Sequence, residues 1–334
     1  MQKLIHSLEK TAVDTGFSGV ISIFKGTGSV FNKAYGYRDI KNKLPNQTDT
    51  IFGTASGTKL FTALGIGKLI DQGMLSLDTP VGEIDREYKG FIAEQATIQQ
   101  LLTHTSGIYD YYDEEIQQDS DHFFVEIPWS KLETPSDYYP LFRNKTMKLQ
   151  PGERYSYSNG GYVFLAMLIE KVTGMLYRDF IQEQVLKAAN MRHSGFFAFN
   201  DLPANTAIGY LQDRQTSNIY VLPLRGGGDG GMFTTTADLH AFWDAFLSYK
   251  ILSEALTAHY LKTYCQFNET AGYGCGVYKR LDNSMFYISG SDAGVGFDSR
   301  YVVKDHVTIN ILSNITDGEE GMRDVILEYL ARNV

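Results

Sequence analysis

Between Ile51 and Leu64 the chain runs through a largely apolar segment that still carries a lysine. Leu60, Phe61, Ala63, Leu64, Ile66, Leu69 and Ile70 recur at near-helical spacing. Thr54 stands where a capping side chain would accept backbone N–H bonds, and Gly73 where a glycine would end the helix. A helix that is apolar all round belongs in the interior. An ammonium is expensive to bury unless it is paired or used, so Lys59 needs partners. Ser56 precedes it by three residues, which on a helix puts the two Cβ atoms about 5–6 Å apart. A serine next to an amine, at the positive end of a helix dipole, is a candidate nucleophile with its base. Ser-x-x-Lys also arises by chance, so the rest of the chain has to decide.

At 334 residues the chain can bury a large core, as one domain or two lobes. Its 43% hydrophobic and 21% charged content is that of a globular protein. A net charge of −9 leaves no basic stripe to neutralise phosphates, which argues against nucleic acid as a partner. Two cysteines, Cys265 and Cys275, make neither a disulfide framework nor a common zinc pattern. The first residues contain no apolar run of signal-peptide length, and the longest apolar run, Tyr162 to Ile169, is too short to span a bilayer. The expected location is cytoplasmic as the sequence stands, or extracytoplasmic if an export segment has been removed.

Strand-like segments sit at both ends of the chain and helices fill the middle. Residues 1–15 read as an amphipathic helix; Gly19–Gly26 and Ser29–Tyr37 read as a hairpin. Thr97–Leu102 reads as a short helix ending at Thr103-His104-Thr105-Ser106-Gly107. Residues 108–145, rich in tyrosines and acids, read as an insertion, either a solvated surface segment or a pocket wall. Gly160–Val172 is an apolar helix closed by Gly174, and Tyr177–Ala189 a second helix. Asn218–Leu222 has strand character. Thr235-Thr236-Ala237-Asp238 reads as a capping box opening a helix through Phe246. Strands are then expected at Tyr273–Tyr278, Met285–Ser289, Phe297–Val303 and Val307–Leu312, before a closing helix over Glu319–Arg332. The expected fold class is α/β (α+β). An antiparallel sheet drawn from both chain ends is flanked by helices, with an inserted, mainly helical lobe. The approximate division is 1–55 plus 265–334 for the sheet lobe and 56–264 for the helical lobe, within one domain.

Two further stretches can carry chemistry. Tyr155-Ser156-Tyr157-Ser158-Asn159 lies on a loop before an apolar helix. Set beside a lysine, the Tyr157 phenol would have its ionised form favoured and could shuttle a proton; otherwise this is a polar turn. Tyr287–Phe297 contains Ser289-Gly290-Ser291, a small-residue strand edge that lets a substrate backbone approach and pair, or else a glycine-rich hairpin turn.

Ser56-x-x-Lys59, then Tyr157-Ser158-Asn159 about a hundred residues on, then the small-residue strand, together resemble the serine β-lactamase and penicillin-binding protein superfamily. The Tyr-x-Asn form is similar to its class C β-lactamase, D,D-peptidase and esterase branch. The resemblance covers nearly the whole chain, including Leu101–Gly107, Pro151-Gly152 and Gly230–Thr235. It implies Ser56 as the acylated nucleophile, with Lys59 and Tyr157 sharing general-base and general-acid work. It implies that Asn159 holds Lys59 and substrate, and that the backbone N–H groups of Ser56 and Ser291 form an oxyanion hole. The implied activity is acyl transfer on β-lactam or D-amino-acid peptide amides. A carboxylesterase, or a non-catalytic binding protein keeping the fold, is the alternative.

One position departs from the pattern. The third motif usually begins with Lys or His, and here Ile288 stands there, so no cation awaits a substrate carboxylate. Arg300 or Lys304 would have to compensate from a neighbouring strand. Gly226–Gly231 contains G-x-G-x-x-G but lacks the βαβ setting of a nucleotide site. His104 is expected to be satisfied within the fold. No H-E-x-x-H or clustered histidine ligands occur among seven histidines, so neither a catalytic metal nor a cofactor is expected, and the expected partner is a small-molecule or peptide substrate.

Overall fold

The computed structural model of the chain describes residues 1–84, 90–117 and 119–333. In chain order its helices are α1 (Gln2–Asp14), α2 (Thr58–Asp71), α3 (Val81–Ile84), α4 (Ile98–Leu102), α5 (Tyr139–Phe142), α6 (Asn159–Thr173), α7 (Tyr177–Ile181), α8 (Thr236–Leu247), α9 (Glu254–Tyr260) and α10 (Glu320–Asn333). The strands are β1 (Gly19–Lys25), β2 (Gly28–Tyr35), β3 (Tyr37–Asp39), β4 (Leu44–Pro45), β5 (Phe52–Gly53), β6 (Phe233–Thr234), β7 (Cys265–Gln266), β8 (Ala271–Tyr273), β9 (Tyr278–Arg280), β10 (Met285–Asp292), β11 (Val295–Val302) and β12 (Val307–Ser313). Eight of them form an antiparallel sheet in the order β2-β1-β12-β11-β10-β9-β8-β7, so the N-terminal hairpin completes a sheet made by the C-terminal strands.

The period-two alternation of these strands builds two cores. On one face Ile21, Ile23, Ile309 and Ile311 pack with Leu4, Leu8 and Ala12 of α1 and Met322 and Ile326 of α10. On the other, Val20, Ile288, Phe297 and Leu312 pack with α2, α6 and α8. Between the sheet and the insertion runs α2, where Leu60, Phe61, Ala63, Leu64, Ile66 and Leu69 are all buried, as is Lys59. After α2, Gly73 at φ +70° closes the helix: its N–H reaches Ile70 O and that of Met74 reaches Leu69 O. Gly174 ends α6 in the same left-handed conformation.

Four local expectations are corrected. Thr54 does not cap α2: its hydroxyl bonds to the Thr58 hydroxyl and Met232 O, and a short 3₁₀ turn, Ala55–Gly57, leads into the helix. Asn218–Tyr220 is a 3₁₀ turn, not a strand, and Asn218 Nδ2 is spent on Ala293 O. The run Tyr273–Tyr278 is the connection between β8 and β9, because Cys275 N turns away to Tyr260 O. At Thr235 only half of the capping box forms. Thr235 Oγ1 accepts from Asp238 N, while the Asp238 carboxylate accepts from His193 N and Ser194 Oγ. In α7 the chain passes into one π turn over Gln182–Leu186.

Because α2 is buried on every side, truncation at its centre leaves a cavity that the surroundings cannot close. Leu64→Ala is expected to lower unfolding free energy by about 2–5 kcal/mol, read as a fall in the urea midpoint at constant m-value.

Candidate active site

The turn that presents Ser56 is strained. Ala55 takes φ +43°, a conformation that L-residues with a Cβ adopt at a cost of about 1–2 kcal/mol. It is held from two sides. The Thr54 N–H donates to Met232 O, and β10 lies directly against the turn. Gly290 is the point of contact: a Cβ there would sit 2.6 Å from Ser56 N and 2.7 Å from Thr54 O, so only glycine fits.

Lys59, 2% exposed, reaches back along α2 to this turn. Its Nζ donates to Ser56 Oγ at 2.9 Å, to Asn159 Oδ1 at 2.7 Å and to the backbone oxygen of Asp229 at 2.8 Å. Burial lowers the affinity of the amine for its proton, and Asp229, Glu114, Asp110 and Asp292 partly offset this. Tyr157 lies beside Ser56 in the cleft, and its ring lies 4.9 Å from Lys59 Nζ. Here the sequence expectation is corrected: burial drives the phenol well above its ordinary value, so its neutral form is favoured. The structure thus brings Ser56, Lys59, Tyr157 and Asn159 together, with Ser289, Gly290 and Ser291 on the facing strand.

His104 fixes the tyrosine loop. In its left-handed turn, at φ +57°, its Nδ1 accepts from Ser158 N at 3.0 Å, Nε2 meets Tyr273 OH at 3.2 Å, and its ring lies 4.4 Å from that of Tyr157. Burial keeps this imidazole well below its usual proton affinity, as its acceptor role requires. It is satisfied within the fold, as the sequence indicates.

Two cavities flank Ser56. One, of about 890 Å³ including its mouth, is walled by Tyr112, Phe123, Trp129, Tyr138, Phe199 and Phe233 among others. The second, about 880 Å³ with the open solvent at its mouth included, is lined by Tyr157, Tyr278, Ser289, Gly290 and Ser291 among others. Tyr111, Tyr112, Phe123, Trp129 and Tyr138, all from the acidic, tyrosine-rich stretch, therefore line the first cavity. Among the described residues lining the two cavities are four carboxylates, Glu114, Asp229, Asp292 and Asp317, against one guanidinium, Arg225, which donates to Phe196 O. Burial pushes the Asp292 carboxyl up to about 7.

Neither expected substitute for the third-motif cation reaches the cleft. Arg300 is buried in a two-point pair with Asp298, at 2.6 and 2.8 Å, and stacks over Tyr287; Lys304 lies exposed beyond the end of β11. Ile288 itself packs into the core. Sequence reasoning missed Asp229, whose carbonyl holds Lys59. It also assigned no part to Glu114 or to Asp110, which binds the start of α6. The one available signal for Asp229 was its glycine-rich run, whose glycines let the backbone approach α2. Among the described residues, no group of three or more His, Cys, Asp or Glu side chains is placed to hold a metal ion, and no helix is long and apolar enough to cross a membrane.

Residues 5–331 match the family described as Beta-lactamase. The chain is 31% identical over 327 residues to penicillin-binding protein 4* of Bacillus subtilis, covering 91% of this chain and 69% of that protein. It spans 56% of the length of Staphylococcus aureus protein flp, at 29% identity. A penicillin binding protein from Bacillus halodurans superposes with a TM-score of 0.90 at 34% identity, covering 96% of this chain and 99% of the other. A D-amino acid amidase from Ochrobactrum anthropi shares the fold, with a TM-score of 0.82 at 21% identity over 99% of both chains.

Because nothing larger than hydrogen fits at Gly290, Gly290→Ala is expected to cost about 1–3 kcal/mol of stability by overpacking, measured by chemical unfolding beside the wild type.

Proposed function

The chain belongs to the beta-lactamase family, whose members include serine hydrolases, and on that premise we propose that it cleaves amides through an acyl-enzyme on Ser56. One observation carries the reading: a buried amine, Lys59 Nζ, stands 2.9 Å from Ser56 Oγ with two further acceptors fixing it. Desolvation raises the fraction of neutral Lys59, which takes the Ser56 proton as Oγ attacks the carbonyl carbon. The developing oxyanion is received by the N–H groups of Ser56 and Ser291; removing one such donor costs about 10²–10³ in kcat in comparable enzymes. Tyr157, kept protonated by burial, gives its proton to the leaving nitrogen and is resupplied by the Lys59 ammonium. Water then cleaves the acyl-enzyme.

The cleft's charge supports a substrate class. Its carboxylates face no mobile cation, and Ile288 stands where a carboxylate-binding residue is usual. The reading is therefore an amide without a carboxylate beside the scissile bond, carrying an apolar side chain for the aromatic wall and a free amine. Short D-amino-acid amides and peptides with a free amino end fit this description, and β-lactams fit it less well. The edge of β10 beyond Tyr287 supports extended binding, since β9 pairs only with Phe286 and Tyr287. Ile288 also favours a second reading, a carboxylesterase acting on uncharged esters.

Ser56→Ala is expected to abolish turnover while leaving the unfolding transition unchanged. Intact mass after brief incubation with a penicillin and with a neutral aryl ester should give an adduct in the wild type that Ser56→Ala lacks. Full activity in Ser56→Ala would overturn the acyl-enzyme. Failure of every acylating probe, in a folded protein, would leave the binding-protein reading. Among matched aromatic D-amino acid amides, N-acetylation or a C-terminal carboxylate should lower kcat/KM about tenfold or more; a carboxylate preference would refute the substrate class, and turnover of esters alone would establish the esterase.

The pH dependence follows from Lys59. Its proton must be lost before it can act as a base, so kcat/KM should fall as the pH drops through the folded-state value, which lies below 10.5. A rate that only rises on acidification would remove Lys59 from this role.

A further inference from the structure

The mechanism above uses Asn159 but leaves open why its amide presents oxygen, and not nitrogen, to Lys59. Both ends of an amide are nearly the same size, so the choice rests on the neighbours of each end. Nδ2 donates to Tyr112 O at 2.9 Å and to Glu114 Oε1 at 3.1 Å, which leaves Oδ1 for Lys59 Nζ. Both the backbone of Asn159 and the Tyr112 peptide are held by one side chain. Asp110, 5% exposed, accepts the N–H of Asn159 on Oδ2 at 2.9 Å, and those of Gly160 and Tyr112 on Oδ1 at 2.8 and 3.2 Å. Ser158 Oγ meanwhile accepts the N–H of Gly161. The first N–H groups of α6, which have no partners within the helix, are thus divided between the two side chains.

We propose that Asp110 is a positioning residue for the Ser56 reaction: it clamps the start of α6 to the Tyr112 peptide and so fixes the Asn159 amide with its oxygen on Lys59. The inference rests on Lys59 acting as the base. It differs from a plain helix cap in its second contact, because a cap needs only the α6 N–H groups, whereas orientation of the amide also needs Tyr112 O in place. Burial pushes the Asp110 carboxyl up to about 7, and above that value its charge contributes to the field at Lys59. The other groups facing that amine are Asp229 from the glycine-rich loop, Glu114 from the insertion, Asp292 from β10, the rings of Tyr157 and Tyr162, and His104 behind them. Loss of the Asp110 charge removes one contribution that holds the Lys59 proton on.

The test uses Asp110→Asn in the full chain, on whichever substrate the wild type turns over. Asparagine keeps the shape but faces at least one of the three N–H groups with an NH₂. The expected result is a 10- to 100-fold loss in kcat with KM changed less than threefold, and an acid limb of the pH profile displaced to lower pH. In an Asn159→Ala background the same substitution should have no further effect on kcat, because the residue it acts through is gone. A kcat within twofold of wild type, an unmoved acid limb, or an additive effect in the double variant each overturns the proposal. If Asp110→Asn does not fold, Asp110→Ser, which keeps one acceptor in a smaller volume, is read in the same three ways. Activity surviving in Ser56→Ala would instead remove the reading on which the inference stands, and labelling of Ser56 by a neutral fluorophosphonate, followed by mass, tells the two failures apart.

Discussion

A single buried amine organises this molecule. An ammonium placed in the interior must find partners or give up its proton. Lys59 finds three acceptors, and each comes from a different part of the chain: the turn before α2, the first residue of α6, and the glycine-rich loop after the aromatic wall. No two of these are neighbours in sequence, so satisfying the lysine requires the whole helical region to be assembled in one way. In the proposed reaction, structure and reactivity draw on the same contacts. The groups that make burial tolerable are those that aim the amine at the serine.

The surrounding layers narrow what the amine can do. Strand β10 presses on the serine turn through Gly290, and the strained Ala55 conformation persists because β10 on one side and Met232 on the other over-determine it. His104 holds the tyrosine loop by accepting a backbone N–H, a role that only the neutral imidazole can fill. Three of the cleft's acidic groups, Asp229, Glu114 and Asp292, temper the loss of proton affinity that burial imposes on Lys59.

Much of this was legible in the chain, and the exceptions have physical causes. The sheet, α1, α2, α6 and α10 follow from periodicity, because their burial is one-sided or complete over many residues. Asn218–Leu222 and Tyr273–Tyr278 have strand composition but bend, since Asn218 and the Cys275 N–H are claimed by distant backbone oxygens. Ser56, Lys59, Tyr157 and Asn159 were visible as motifs. Asp229 was not, because it contributes a main-chain oxygen, and any residue type can supply one. The favoured form of Tyr157 differs from the expectation: proximity to a cation favours a phenolate, but burial opposes it more strongly. The aromatic wall was readable only as composition, since its members come from separate loops.

The order of strands in the sheet has a temporal consequence. Strand β1 lies between β2 and β12, and Ser313 closes onto Ser18, 295 residues away in the chain. Such distant pairings make assembly slow, since loop-closure entropy has to be overcome before any contact rewards it. During synthesis α2 and α6 leave the ribosome well before β10, β11 and β12 exist. Until those strands arrive, the serine turn lacks the backing that Gly290 gives it. The serine turn and the strand that faces it therefore meet only at the step that closes the sheet.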